Sequence, residues 1–155
     1  MRIRRRIWSE SLATPRTSPL LAGRGVPLGP RKDLRHPISR LDETFFKLAK
    51  SSGLAAAWRA TLDNNARIYR WGRMPVTTGD ALKKWIETQT GRAALHWSKS
   101  GVAESGDLAY SYGSFEEISQ AKTVKGYYVH IWKLDVKGRW RIVFDIGLPQ
   151  PEEKK

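Results

Sequence analysis

Two residues invite chemistry by their surroundings, His130 and Asp145. His130 lies in Tyr127-Tyr128-Val129-His130-Ile131-Trp132, which alternates like a strand, so Tyr128, His130 and Trp132 share one face. A histidine among rings can serve as a ligand donor, or as an acid or base near neutral pH. The plainer alternative is a core histidine satisfied by a backbone carbonyl. Asp145 sits between Phe144 and Ile146 in an otherwise apolar strand. A buried carboxylate needs a partner or a raised pKa. Arg141, four residues earlier on that strand, is the expected partner, with Lys133 or Arg139 near. Asp145 is therefore either half of a structural ion pair or a catalytic carboxylate. Tyr110 and Tyr112 share a face of the neighbouring strand and either line a cavity or meet a second subunit. Tyr69, on an earlier strand, and Trp85, on a helix, are expected chiefly as packing and secondarily as cavity lining.

Other searches come back empty. His36, His96 and His130 are widely spaced and form no metal-binding pattern, so no metal or cofactor is expected. Gly23-Arg24-Gly25 neither follows a strand nor opens a helix, so it is no phosphate loop. There is no Gly-x-Ser-x-Gly elbow. The absence of cysteine excludes disulfides, thiolate metal sites and a cysteine nucleophile.

The elements that must position these groups are legible from periodicity. Leu41, Phe45, Leu48 and Ala49 recur at helical spacing, with Ser39 and Asp42 in a plausible cap region. Gly53 interrupts, and Leu54, Ala57, Trp58 and Leu62 make a second short stripe. Residues 66–71 read as a strand. Asp80 is placed as the cap of a third helix with Leu82, Trp85 and Ile86 on its apolar face. Everything after Gly91 is strand-like: 93–98 with 102–104, 108–117, and a hairpin of 125–134 with 139–146. The hairpin turn puts Gly138 where positive φ is needed. If Asp135 pairs with Arg139, then Trp140, Ile142 and Phe144 join the face of His130. Helices first and consecutive strands after predict an α+β domain, with an antiparallel sheet of four to six strands wrapped on about three helices.

Residues 1–37 read as a separate basic, Pro/Gly-rich tail, 38–151 as the domain and 152–155 as a charged end. Residues 1–40 carry ten Lys or Arg against Glu10 and Asp33, so +8 of the net +13 lies there. A disordered tail, a translated upstream stretch or cloning artefact, and a targeting arm all fit this composition. The body is only mildly basic, so nucleic acid is expected to associate weakly at most, and through the tail. No apolar run approaches the roughly 18 residues of a membrane span. No secretory signal is legible, and the cytoplasm is the expected location.

The ordered set of Asp63-Asn64-Asn65-Ala66, Gly79, Ser105-Gly106-Asp107-Leu108 into Tyr110-Ser111-Tyr112-Gly113, and above all Gly138-Arg139-Trp140-Arg141-Ile142-Val143-Phe144-Asp145-Ile146-Gly147, resembles a known group. It is similar to the SnoaL-like, ketosteroid isomerase-like proteins, which include nuclear transport factor two. The match covers about residues 38–151. The resemblance implies a conical, cystatin-like α+β barrel with a cavity between helices and curved sheet, often dimeric through the sheet. It also implies positions: the base of a steroid isomerase falls on Arg70, the tyrosine donor on Phe46 and the donor carboxyl on His130. An arginine stays protonated and a phenylalanine donates nothing, so steroid isomerase chemistry is not expected.

The leading expectation is a domain that binds a small apolar or aromatic molecule in an aromatic cavity, as a homodimer. Tyr112, Tyr128, His130 and Trp132 are its expected lining. One alternative is an acid–base isomerase, lyase or dehydratase using His130, with Asp145 or Tyr112. Another is a protein-interaction module with a packed interior and no turnover.

Overall fold

The computed structural model describes residues 35–120 and 122–151. Most of the tail expected at 1–37 lies outside the described residues, as do 152–155. Three helices come first: α1 (Arg35–Ser52), α2 (Leu54–Thr61) and, after β1 (Leu62–Arg70), α3 (Gly79–Glu87). Four strands follow: β2 (Arg92–Val102), β3 (Leu108–Ile118), β4 (Thr123–Leu134) and β5 (Trp140–Pro149). They form one unclosed sheet in the order β1-β5-β4-β3-β2.

The α1 stripe buries Ile38, Asp42, Phe45, Phe46 and Ala49, the i, i+4, i+7 spacing of one helix face. Asp42 is thus a mid-helix core residue, not part of a cap. The third helix is capped by Thr78, whose hydroxyl accepts from the Ala81 N–H at 3.3 Å. Asp80, expected in that role, lies in the first turn instead. Gly53 joins α1 to α2 at φ 89°, a conformation open to glycine.

The sheet departs from expectation at one edge. β2, β3, β4 and β5 pair antiparallel, but β1 pairs with β5 in parallel. The β4–β5 hairpin fixes the direction of β5, and β1, reached from the helices, runs the same way. The hairpin turn is as expected. Asp135 accepts from the Lys137 and Arg139 N–H groups, each at 2.9 Å, and Gly138 has φ 72°.

One bulge decides which side chains face the helices. Ile131 pairs with Phe144 and Trp132 with Ile142, leaving Val143 as the extra residue. The bulge reverses the parity of β5 beyond it. Ile142 is inward before it; afterwards Asp145 and Gly147 are inward, while Phe144 points outward onto Tyr69. Phe144 therefore does not share the face of His130, contrary to simple alternation. Asp145 does, and the register sets it directly opposite His130.

Candidate functional site

Between α1 and the sheet, polar side chains form a continuous buried chain. Asp42 of α1 is its hub. Its Oδ1 accepts from Ser111 Oγ at 2.9 Å and lies 3.1 Å from His130 Nδ1, while its Oδ2 accepts from Tyr128 Oη at 2.8 Å. Trp132 Nε1 donates to Ser111 Oγ at 2.8 Å. On the other side of the ring, His130 Nε2 lies 3.2 Å from Asp145 Oδ1. Arg70 Nη1 reaches Asp145 Oδ2 at 2.5 Å and donates to the Tyr69 carbonyl at 2.8 Å. Asp42, Ser111, His130 and Asp145 are all fully buried.

The electrostatics follow from this order. Burial alone would push the His130 pKa down, but its hydrogen bonds to Asp145 and Asp42 outweigh that and raise it. The imidazole thus bridges two carboxyl groups, both of which favour its protonated form. Burial works against the Asp145 carboxylate, yet Arg70 and His130 bring its pKa below the ordinary value. Tyr128 is pushed well above the usual phenol range, by burial first and then by the Asp42 charge. Asp42, His130, Asp145 and Arg70 thus alternate acid and base along the buried chain. The partner of Asp145 is Arg70, not Arg141, which binds the Ala60 carbonyl and lies 3.8 Å from Asp135. The bulge at Val143 turns Asp145 away from the face of Arg141.

The Arg70 guanidinium lies over two aromatic rings that meet edge to face, 5.2 Å from the Trp85 centroid and 5.9 Å from that of Trp58. Gly147 makes the room: a Cβ there would stand 3.1 Å from the guanidinium carbon. Beside this group lies an inner chamber of about 40 Å³ walled by Phe45, Phe46, Trp58, Tyr128, His130 and Asp145. Phe46, where the resemblance sets a tyrosine donor, is one of its apolar walls. A second hollow of about 230 Å³ includes Trp71, Trp85 and Leu148 in its lining. The two share Arg70, Gln89, Phe115, Glu117 and Gly147, so they adjoin, and the outer hollow is called the vestibule.

The predicted site residues therefore separate. Tyr128, His130 and Asp145 line the inner chamber, and Trp85 the vestibule. Trp132 is buried beside them with its N–H spent on Ser111. Tyr110 and Tyr112 belong to the opposite face of β3, where they are 48% and 38% exposed. Over its first half that strand turns only small side chains inward, Ala109, Ser111 and Gly113, where Asp42 of α1 reaches Ser111 directly; Phe115 and Glu117 follow on the same face and line the chamber. Tyr69 also lies outside, against Phe144 at 4.7 Å. None of these three tyrosines lines the chamber.

Several residues of the site were not anticipated, four of them polar groups that matter to its chemistry. An acid at position 42, on the same helical stripe as Ile38 and Phe45, was the legible signal for the hub. Trp58 carries a buried indole N–H with no hydrogen-bond partner. Gln89 and Glu117 stand where chamber meets vestibule. The Glu117 pKa is raised by burial, against the opposing charges of Arg70 and Lys122. Among the described residues, no group of three or more His, Asp or Glu is placed to hold a metal, and no helix is long and apolar enough to cross a membrane.

No family model matches the chain, and no curated protein matches it. Solved structures do. A ketosteroid isomerase-like protein from Erwinia carotovora atroseptica is 13% identical, with TM-score 0.57 over 78% of this chain and 100% of the other. An NTF2-like protein with a cystatin-like fold, from Novosphingobium aromaticivorans, is 17% identical, with TM-score 0.57 over 77% and 83%. The CaMKII hub of S. rosetta is 16% identical, with TM-score 0.57 over 81% and 100%. Identities this low speak to fold alone. The chain has the ketosteroid isomerase-like, NTF2-like α+β fold with a cystatin-like sheet, as its sequence suggested. That fold hosts unrelated functions, so function has to be argued from the site.

Proposed function

We propose that the protein is a small-molecule-binding domain whose ligand enters the vestibule and places its tip in the inner chamber. The observation that carries this reading is the two-part cleft, with Arg70, Gln89 and Glu117 at its junction and Trp58, whose buried indole N–H has no partner, in the wall of its inner chamber. Ligand sites are concave and mostly apolar with a few convergent polar groups. The inner chamber alone has room for only a few heavy atoms, since one water needs about 10–15 Å³ of space measured in the same way. Both imidazole nitrogens of His130 face carboxylates at hydrogen-bond distance. No ring nitrogen is left for a substrate, which favours binding over acid–base turnover through His130. In this reading His130 and Asp145 hold the chamber floor.

Protein-observed NMR titration with phenol and benzyl alcohol tests this. The indole N–H of Trp58 and the amides of Ala93 and Gly147 should shift together and saturably. Shifts confined to Tyr110, Tyr112 or Tyr127 would remove the cleft from consideration.

The outer face of the sheet favours a second, compatible role in self-association. Trp97, Tyr110, Tyr112 and Tyr127 stand exposed there, with Trp97 and Tyr112 edge to face at 6.0 Å. Among similar structures are a CaMKII hub and a calcium/calmodulin-dependent kinase II association domain. Sedimentation equilibrium should find a dimer weakened by Tyr112→Glu; a monomer at about 100 μM would rule the role out, since a stable homodimer has a Kd well below that.

A further inference from the structure

On the reading that the cleft is the binding site, the polar groups at the junction of chamber and vestibule prescribe more than a generic apolar ligand. Arg70 spends Nη1 on Asp145 and Tyr69, and no partner among the described residues uses its Nε or Nη2 hydrogens. With the Trp58 N–H, these are donors seeking an acceptor oxygen. Gln89 donates its amide nitrogen to the Trp85 carbonyl and Thr88 Oγ1, which leaves its Oε1 as an acceptor. Glu117 lines both hollows, is half-buried, and makes no ion pair or hydrogen bond among the described residues. Donors and acceptors thus meet at one place. The charge there also selects. The Glu117 carboxyl stands at the junction itself, while the cations Arg73 and Lys122 lie in the vestibule wall and beside Glu117, so an anion that enters the chamber meets an acceptor where it needs a donor.

We infer that the cleft recognises a small, planar, uncharged molecule of the amide class, a C=O beside an N–H, and discriminates against the matching carboxylate. The carbonyl accepts from Trp58 Nε1 and Arg70. The N–H donates to Glu117 and Gln89 Oε1. The planar body lies in the vestibule against Trp85 and Phe115. A carboxylate of the same shape supplies the acceptor but no donor, and leaves Glu117 facing a like charge, a mismatch that costs more than the missing bond itself.

Benzamide and benzoate are the matched probes, titrated calorimetrically into the full chain at pH 7.5, with benzyl alcohol as the polarity-neutral control. Benzamide should bind at least tenfold more tightly than benzoate. Glu117→Gln should narrow that preference to less than threefold, and Trp58→Phe, which keeps a ring but removes the donor, should weaken benzamide about tenfold. Unchanged thermal unfolding in both variants confirms that the site, not the fold, is read. If benzoate binds as well as benzamide or better, the amide assignment is wrong while the cleft stands. If the preference survives Glu117→Gln, the assignment is equally wrong. If none of the three probes binds, the cleft itself is not a ligand site.

Discussion

Replacing Asp42 with alanine is the most informative perturbation of the interior. Its carboxylate takes the Ser111 and Tyr128 hydroxyls and faces the His130 Nδ1, all within 3.1 Å and all away from water. In Asp42→Ala the three donors lose their acceptor together. A buried donor left without a partner costs about 1–3 kcal/mol. Removing one member of a buried charge pair costs about 3–5 kcal/mol, because the remaining ion is stranded. These overlap, since the His130 ion is counted in both, so the expected loss is about 4–6 kcal/mol. Against a total stability of about 5–15 kcal/mol for a domain, that approaches unfolding. Urea denaturation followed by tryptophan fluorescence measures it, with Asp42→Asn as companion. Asparagine keeps the shape and can still accept, so it should lose about half as much. A loss below about 1.5 kcal/mol in Asp42→Ala, with an unchanged m-value, would mean that water or side-chain rearrangement satisfies these donors. The buried chain would then not be the organising feature of this core.

Stability should vary with pH in two separate ranges. His130 has its pKa raised above 6.5, so its contribution is complete below 6.5 and is lost as pH rises through the folded value. Asp145 has its pKa lowered from 3.8, so its contribution is present above 3.8 and is lost as pH falls through the folded value. Chemical denaturation across pH 3–10 should show both slopes, and His130→Gln should abolish the upper one; an upper slope that survives would assign it elsewhere. Glycine substitutions on β3 and its neighbour should separate sharply. At Gly113 a Cβ would stand 2.0 Å from the Trp97 carbonyl oxygen, backbone that cannot yield, so Gly113→Ala should cost about 3 kcal/mol or more. At Gly101 a Cβ meets only the exposed Tyr110 ring, which can swing away, so Gly101→Ala should cost under about 1 kcal/mol by the same melt. Equal costs would refute the packing described between β2 and β3.

The fold was largely legible because period survives wherever one face is buried. Phe45 and Ala49 mark α1, Leu82 and Ile86 mark α3, and the Asp135–Gly138 turn marks the hairpin. Parity was less secure. Alternation across β5 would carry Ile142 to Phe144 and leave Asp145 outside, facing the same way as Arg141. Val143 looks like any strand residue, yet as the bulged residue it inverts that order. Nothing in Arg141-Ile142-Val143-Phe144 signals it, since a bulge needs no glycine and reflects how β4, β5 and β1 fit. The direction of β1 was hidden for a similar reason: alternation within a strand is silent about which neighbour it meets.

The site was half legible, and the missing half changes its chemistry. His130 in an aromatic strand reads as a candidate acid or base only while its nitrogens are thought free. One partner, Asp42, lies 88 residues away on a helix, and the other, Asp145, is delivered by the bulge. With both in place the ring is a clasp: it joins α1 to the sheet's last strand and stands between two carboxyl groups within the core. Arg70 completes that arrangement at the side facing the vestibule. The position where the resemblance sets a catalytic base thus holds a cation whose first task is to balance Asp145. Its remaining N–H groups, beside the Trp58 indole, are what the cleft has left to offer a ligand. A group already committed to charge balance can bind an oxygen without taking a proton, and the binding reading proposed above rests on that difference.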